Sequence, residues 1–272
     1  MTAARPTSPP RAIGVFDSGV GGLSVLQALH RHAPHVPLLY VSDSAHAPYG
    51  ERDTAYVVAR SRRIVAHLLA EGAAGVVVAC NTATAAAVHE LRTTWPRVPI
   101  VGVEPGLKPA AAATRNGRVG VLATTGTLAS ARFAALRQAQ PAGVRFATRA
   151  CPGLARLIED GDLDAPALRA AIHEHAAALR DAGVDTVVLG CTHYDFVRRH
   201  IQSALGPDVH IVDTADAVAR HAAVRIGGAP AGATARPRLQ TNGDVGHMRR
   251  IANAWLPFAC SVDAMPSHPA AA

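Results

Sequence analysis

The chain has a single lysine, Lys108, among its 272 residues. It stands before Pro109 with no motif around it, which argues against an enzyme that holds pyridoxal phosphate as a lysine Schiff base. No apolar run approaches the ~20 residues of a membrane-spanning helix, and aromatics make up only 4% of the chain. Cysteines number four, too few for a disulfide framework in a chain of this length. No Cys-x-x-Cys occurs, and Cys191 and His193 are only two apart, so no zinc spacing is present and no metal centre is expected. The formal net charge is +7, yet the basic residues are scattered arginines with only short pairs such as Arg62-Arg63, Arg198-Arg199 and Arg249-Arg250. Without a basic stripe or interleaved aromatics, nucleic acid is not an expected partner. The charge can still help draw in a small anion. Residues 1–11 are proline-rich and have no apolar signal core, and they read as a disordered lead-in. Residues 261–272 read as an equally loose tail. A cytoplasmic protein with reduced thiols, no membrane segment and no cofactor is the expectation.

What is present is an alternation of strands and helices in a chain that is 49% hydrophobic, the pattern of α/β folds with parallel sheets. Strands are predicted near 12–17, 37–42, 75–80, 98–103, 118–123, 143–148, 185–190 and 209–213. Helices are predicted near 22–32, 53–70, 82–93, 128–138, 166–181, 194–204 and 215–226. A loop at 227–232, a short strand at 238–241 and a last helix at 245–256 complete the reading.

The two halves repeat. Gly75-Val76-Val77-Val78-Ala79-Cys80 leads into Asn81-Thr82, and Thr186-Val187-Val188-Leu189-Gly190-Cys191 leads into Thr192-His193. Gly72 matches Gly183, and Val98-Pro99-Ile100-Val101 matches Val209-His210-Ile211-Val212, all at an offset of 111. The first strands, Ile13-Gly14-Val15-Phe16 and Val119-Gly120-Val121-Leu122, match at an offset of 106, so about five residues enter the second half, placed near Cys151-Pro152-Gly153. A period this long is a duplicated domain rather than a solenoid unit, although any two α/β units share some of these features.

Ligands bind at the carboxyl ends of parallel strands, and polar residues gather there: Asp17-Ser18, Ser42-Asp43, Cys80-Asn81-Thr82, Thr124-Thr125 and Cys191-Thr192-His193. Two thiols at matching strand ends can take a proton from one face of a carbon and return one to the other. Alone, either reads more readily as an inert core cysteine; their shared place at strand ends beside polar residues weakens that reading. Helix N-termini after both would favour the thiolate. Cys151 and Cys260 lack such settings and read as structural. The loop Asp17-Ser18-Gly19-Val20-Gly21-Gly22 can bind an anion through backbone N–H groups. It fails the dinucleotide pattern because Ser24 stands where the third glycine belongs. Asp17 also fits an N-cap, or a phosphatase-type nucleophile, though Gly19 stands where that chemistry wants a second carboxylate. His193 can hold or relay a thiol proton or be a solvated histidine. Tyr49, in the turn Ala47-Pro48-Tyr49-Gly50, can bond a ligand or merely pack. Thr82, Thr124, Thr127 and Thr192 are candidate carboxylate donors.

These motifs together resemble the bacterial glutamate racemases of the aspartate/glutamate racemase superfamily. The resemblance runs from Ile13 to Gly243. It rests on Phe16-Asp17-Ser18-Gly19-Val20-Gly21-Gly22, Pro48-Tyr49-Gly50, Ala79-Cys80-Asn81-Thr82-Ala83-Thr84, Gly102-Val103-Glu104-Pro105 and Gly190-Cys191-Thr192-His193-Tyr194. It implies an α/β fold of two pseudo-symmetric domains, each a mostly parallel sheet flanked by helices, with the active site in the cleft between them. The first domain would be 12–104 plus 215–260, and the second 105–214. It further implies Cys80 and Cys191 as paired acid/base thiols, with Asp17 assisting Cys80 and His193 assisting Cys191. Asp17, Ser18, Tyr49, Gly50, Asn81, Thr82, Thr192 and His193 would hold substrate, with Pro48, Thr124, Thr127 and Glu159 as further candidates. The implied reaction is cofactor-independent racemisation of glutamate supplying D-glutamate for peptidoglycan, by a monomer or homodimer. A racemase of another small acid such as aspartate, and a two-domain amino-acid-binding protein, are the alternatives.

Overall fold

The computed structural model describes residues 12–227 and 236–266. Ten strands form two sheets among these residues. In the first half β1 (Ala12–Asp17), β2 (Leu38–Ser42), β3 (Ala73–Val78) and β4 (Ile100–Gly102) stand in the order β2-β1-β3-β4. In the second half β5 (Arg118–Ala123), β6 (Arg145–Ala150), β7 (Thr186–Gly190) and β8 (His210–Val212) stand in the order β6-β5-β7-β8. The orders are the same, and every pairing is parallel. The registers carry the repeat into three dimensions. Val76 pairs with Ile100 and Thr186 with His210, a separation of 24 in both halves. Ile13 pairs with Leu38 and with Gly75, whereas Val119 pairs with Phe146 and with Thr186. The corresponding separations are 25 against 27 and 62 against 67. The five extra residues are therefore divided, two before β6 and three after it, rather than gathered at Cys151.

The helices run α1 (Leu23–His32), α2 (Thr54–Ala70), α3 (Asn81–Thr94), α4 (Leu107–Ala113), α5 (Thr125–Ala129), α6 (Ala131–Gln138), α7 (Leu154–Glu159), α8 (Pro166–Asp181), α9 (Arg198–Leu205), α10 (Ala215–Ile226) and α11 (Val245–Trp255). They cover both faces of each sheet. Leu26 and Leu29 of α1, Ala219 of α10 and Met248 of α11 meet Ile13, Val15 and Val77 on one face of the first sheet. Ile64 and Leu68 of α2 and Leu91 of α3 meet Phe16, Val76 and Val78 on the other. Both faces are apolar because a parallel sheet is buried on both sides.

The chain returns to the first sheet after β8. Strand β9 (Arg238–Thr241) pairs with β2, and β10 (Ser261–Ala264) pairs with β9. The start of the expected tail is therefore ordered strand. Its alternation is too short to distinguish from a coil by sequence, and the β9 edge supplies the missing hydrogen bonds. The expected disorder of residues 1–11 and 267–272 falls outside the described residues, as does the loop at 228–232. The predicted helix at 128–138 is two helices, because Ser130 leaves the helical region (φ −73°, ψ 144°) and caps α6 by accepting from Phe133 N–H. The one predicted at 194–204 begins as a 3₁₀ turn over Thr192–Val197 before α9. The short helices α4 and α7 were not expected, since six or seven residues carry too little periodicity to read.

Candidate active site

The carboxyl edges of the two sheets meet face to face. Strand β3 ends at Val78, two residues short of its expected end, and Cys80 (φ −131°, ψ 120°) becomes the N-cap of α3. Its Sγ accepts from the Ala83 N–H at 3.4 Å and lies 3.7 Å from Ser18 Oγ. Cys191 follows β7 directly, also extended (φ −146°, ψ 132°), but the turn after it is 3₁₀ and gives its sulfur no such backbone donor. The helix terminus expected to support both thiols supports Cys80 alone. Both thiols are buried, at 5% and 7% exposure.

Asp17 is fully buried at the end of β1. Its Oδ1 accepts from Gly19 N–H at 2.7 Å, and its Oδ2 accepts from the Thr192 hydroxyl of the second half at 3.0 Å. It serves as an anchor of the loop and of the junction, rather than as a helix cap. Tyr40 and Ser42 donate their hydroxyls to the Gly19 carbonyl at 2.7 and 2.8 Å, which fixes the loop. The glycines there are required by close approach. A Cβ at Gly19 would fall 1.8 Å from Glu159 Oε1, and one at Gly21 would fall 2.3 Å from His193 Nδ1.

Glu159, at the end of α7, is the residue whose place the sequence left least certain. Its Oε1 accepts from Val20 N–H at 2.7 Å and bonds His193 Nε2 at 2.5 Å. Its backbone carbonyl is held by His247 Nε2 of α11 at 2.7 Å. His193 is buried rather than solvated, and its Nδ1 faces Cys191 Sγ at 3.7 Å. Cys191, His193 and Glu159 thus form a hydrogen-bonded chain. Asp17, Glu159 and His193 also offer three donor atoms within 4.8 Å of one another. This is a set able to take a cation, contrary to the spacing argument, but their hydrogen bonds to Gly19, Thr192, Val20 and each other already engage them.

The remaining candidates converge on the same junction. Thr82 Oγ1 lies 2.9 Å from Thr124 Oγ1, which bonds Thr127 Oγ1 at 2.9 Å. Gly50 lies against this group, since its Cβ would be 2.8 Å from Thr124 Cβ. Asn81 Nδ2 reaches the Val103 carbonyl at 3.5 Å. Pro48, Gly50 and Thr124 line a shallow cleft together with Cys151 and Gly153. The Tyr49 hydroxyl donates to the buried carboxylate of Asp43. Asp43 also takes a two-pronged bond from Arg60 at 2.6 and 2.9 Å and one from Asn242. Tyr49 therefore holds the Pro48-Tyr49-Gly50 turn in place. Arg60, mid-helix in α2, and Asn242, beyond β9, gave no sequence signal because their partner is distant in the chain.

Protonation follows from burial and neighbours. Burial pushes the Cys80 thiol up to about 12; the charge of Asp17 adds to this, and Ala83 N–H and Ser18 oppose it. Burial would depress His193, yet its hydrogen bonds to Cys191 and Glu159 and their charges outweigh it and hold the imidazole well above its usual value. Burial raises Asp17 as well, against the pull of His193 and the Gly19 N–H. The site pairs a thiol that keeps its proton with a thiol beside an imidazolium.

The profile of the Asp/Glu/hydantoin racemase family matches residues 13–222. The chain belongs to this family. It is 51% identical over 244 residues to a glutamate racemase of Pseudomonas aeruginosa, covering 88% of this chain and 92% of that one. It is 54% identical over 209 residues to one from Stutzerimonas stutzeri, covering 77% and 79%. Among solved structures, a glutamate racemase isoform of Bacillus anthracis superposes with a TM-score of 0.83 at 31% identity, covering 94% of this chain and 97% of that one. The Escherichia coli glutamate racemase, solved with L-glutamate and the activator UDP-MurNAc-Ala, gives 0.83 at 29% identity, covering 96% and 100%. The likeness to these structures extends over both sheets of this chain. No helix among the described residues is long and apolar enough to cross a membrane.

Proposed function

We propose that this racemase interconverts L- and D-glutamate by proton transfer at the α-carbon between Cys80 and Cys191, without a cofactor. The observation that carries the reading is the placement of these two thiols at equivalent strand ends of two facing sheets, each with its own partner group. The relatives named as glutamate racemases, and the L-glutamate in the E. coli structure, support glutamate as the substrate.

The contacts Asp17–Thr192, Val20–Glu159 and Thr82–Thr124 all cross from one half to the other. They must part for substrate to reach the thiols, and closure then excludes water. Ser18, Asn81, Thr82, Thr124, Thr127 and Thr192 supply hydroxyl and amide donors for the two carboxylates. In the L-to-D direction Cys191 enters as thiolate and removes the α-proton. Cys80, which holds its proton tightly, delivers it to the opposite face. The products are D-glutamate, a Cys191 thiol and a Cys80 thiolate. The D-to-L direction runs the same steps in reverse. The α-proton is far less acidic than a thiol, so donors aimed at the α-carboxylate must stabilise the carbanionic state. His193 and Glu159 hold charge beside Cys191; Asp17 and the Ala83 N–H do so beside Cys80. The D-glutamate would supply cell-wall peptidoglycan in the cytoplasm.

Polarimetry on L-glutamate and L-aspartate side by side tests the substrate. Loss of rotation for glutamate alone is the expected result; faster loss for aspartate redirects the assignment, and unchanged rotation over a long incubation indicates a binding protein. Cys80→Ser and Cys191→Ser should each lower racemisation by about 10³-fold. Wild-type racemisation by both variants would sink the two-thiol mechanism.

A further inference from the structure

Asp43 is fully buried directly after β2, and its carboxylate is bound by three separate segments of the chain. The Arg60 guanidinium of α2 grips it in two prongs, at 2.6 and 2.9 Å. Asn242, beyond β9, and the Tyr49 hydroxyl donate to it as well. Asn242 in turn accepts from the Ala45 N–H at 3.0 Å. A buried ion pair adds little net stability by itself, so what this one orients matters more than its strength.

The repeat makes the clamp distinctive. Asp17 pairs with Ser42, and Ala123 with Ala150. The Asp43 N–H donates to the Asp17 carbonyl at 3.1 Å, as the Cys151 N–H donates to the Ala123 carbonyl at 2.9 Å. Asp43 and Cys151 therefore occupy equivalent places. The Cys151 thiol donates to the Arg149 carbonyl of its own strand, at 3.5 Å. The Asp43 carboxylate instead ties the end of β2 to α2, to the segment after β9 and to the turn that holds Tyr49. That turn lies where the halves meet. Tyr49 shares a core cluster with Cys80 and Ala83. A Cβ on Gly50 would come 2.8 Å from Thr124 Cβ, and one on Gly126 would come 3.1 Å from the Gly50 carbonyl oxygen. Glu51 Oε1 accepts from the Gly153 N–H at 3.2 Å.

We propose that Arg60 is a positioning residue for substrate binding: through Asp43 it fixes Tyr49, so that Gly50 and Glu51 meet the second half and the cleft closes on its ligand. This rests on the reading of glutamate as the substrate. Arg60 acts on the population of closed molecules. A loosened turn lowers the closed fraction, and the apparent dissociation constant rises by the same factor. Molecules that do close carry out unchanged chemistry. KM therefore moves and kcat does not.

Racemisation of L- and D-glutamate by Arg60→Met, Arg60→Lys, Tyr49→Phe and the double variant of Arg60→Met with Tyr49→Phe tests this. Arg60→Met should raise KM about tenfold, as for a lost hydrogen bond to a charged group, with kcat within about twofold of wild type. Arg60→Lys keeps the charge and loses the two-pronged grip, so its KM should fall between the two. Tyr49→Phe keeps the ring and cuts the tie between clamp and turn, and should raise KM about threefold to tenfold. The double variant should be no worse than Arg60→Met alone, because both changes break one linkage. A purely structural role would lower the melting temperature and the yield of active enzyme, and leave KM at its wild-type value. Wild-type KM in Arg60→Met overturns the proposal, as does a fall in kcat with KM unchanged. So does a double variant whose KM rise is the product of the single ones, which would put the Tyr49 hydroxyl on the substrate itself. If Arg60→Met does not fold, Arg60→Lys and Tyr49→Phe carry the test, and wild-type KM in both overturns it. Failure of the glutamate reading shows separately, as absent glutamate turnover in the wild type.

Discussion

Cys80 and Cys191 occupy equivalent places in sheets of the same strand order, yet different groups surround them. Around Cys80 the neighbours belong to its own half: the Ala83 N–H, the Ser18 hydroxyl and, as a nearby negative charge, the Asp17 carboxylate. Around Cys191 stands His193, two residues along its own turn and backed by Glu159 from α7. Burial and a neighbouring carboxylate keep Cys80 protonated, while an imidazolium stands beside Cys191. In the proposed two-thiol reaction, a duplicated fold would supply two thiols with opposite approach to one carbon, and the groups around each would set its readiness to give or take the proton.

After the cysteine substitutions themselves, the largest effect expected from disturbing the surroundings of one thiol comes from Gly21→Ala. Its Cβ would fall 2.3 Å from His193 Nδ1, and a displaced acid/base group costs about a hundredfold in rate. Gly21 belongs to the first half, so racemisation assays on this variant ask whether the two thiol environments are independent. A near-wild-type rate would show that the loop and His193 separate during turnover.

Glu159→Gln should cost less, about tenfold to a hundredfold in kcat/KM, as for a lost hydrogen bond to a charged group. It also has a signature in stability. His193 binds its proton more tightly in the folded chain than in the unfolded one. Its contribution is therefore full below pH ~6.5 and fades as pH rises through the higher folded value. The melting-temperature gap between wild type and variant should be wider at pH 6 than at pH 9. A gap that widens with pH would contradict the charged His193–Glu159 pair.

Ser18→Ala should have the smallest effect, about threefold, as for one neutral hydrogen bond. Its hydroxyl lies 3.7 Å from Cys80, so iodoacetamide labelling should change at Cys80 and not at Cys191. Equal change at both sites would mean that Ser18 acts on the closed junction rather than on one thiol.

Much of this site was legible before any coordinates. The glycine loop, both thiols and His193 lie close in sequence to strand ends, and strand ends are where parallel sheets put chemistry. The spacing of 24 between paired strands after each thiol appears in sequence and register alike. Other features were illegible for a common reason. Arg60 and Asn242 hold Tyr49 through Asp43, across separations that no local pattern reports. Glu159 sits at the end of a six-residue helix beside Asp160 and Asp162, where sequence cannot say which carboxylate turns inward. Strand β10 is four residues long and exists because β9 offers an unpaired edge.

The sequence by itself determined that two of the four thiols lie at the ends of equivalent strands, and its single lysine argues against a lysine-bound cofactor. These are local facts, written in composition, spacing and the hydrophobic runs that must be buried. The resemblance already implied different neighbours, Asp17 for one thiol and His193 for the other; the tertiary structure decided how that inequality is built. That inequality depends on which side chains cross from one half to the other, and on a 3₁₀ turn replacing an α-helical one after Cys191. Hydrogen bonds and charges act over a few ångströms in space, regardless of how far apart their owners lie along the chain.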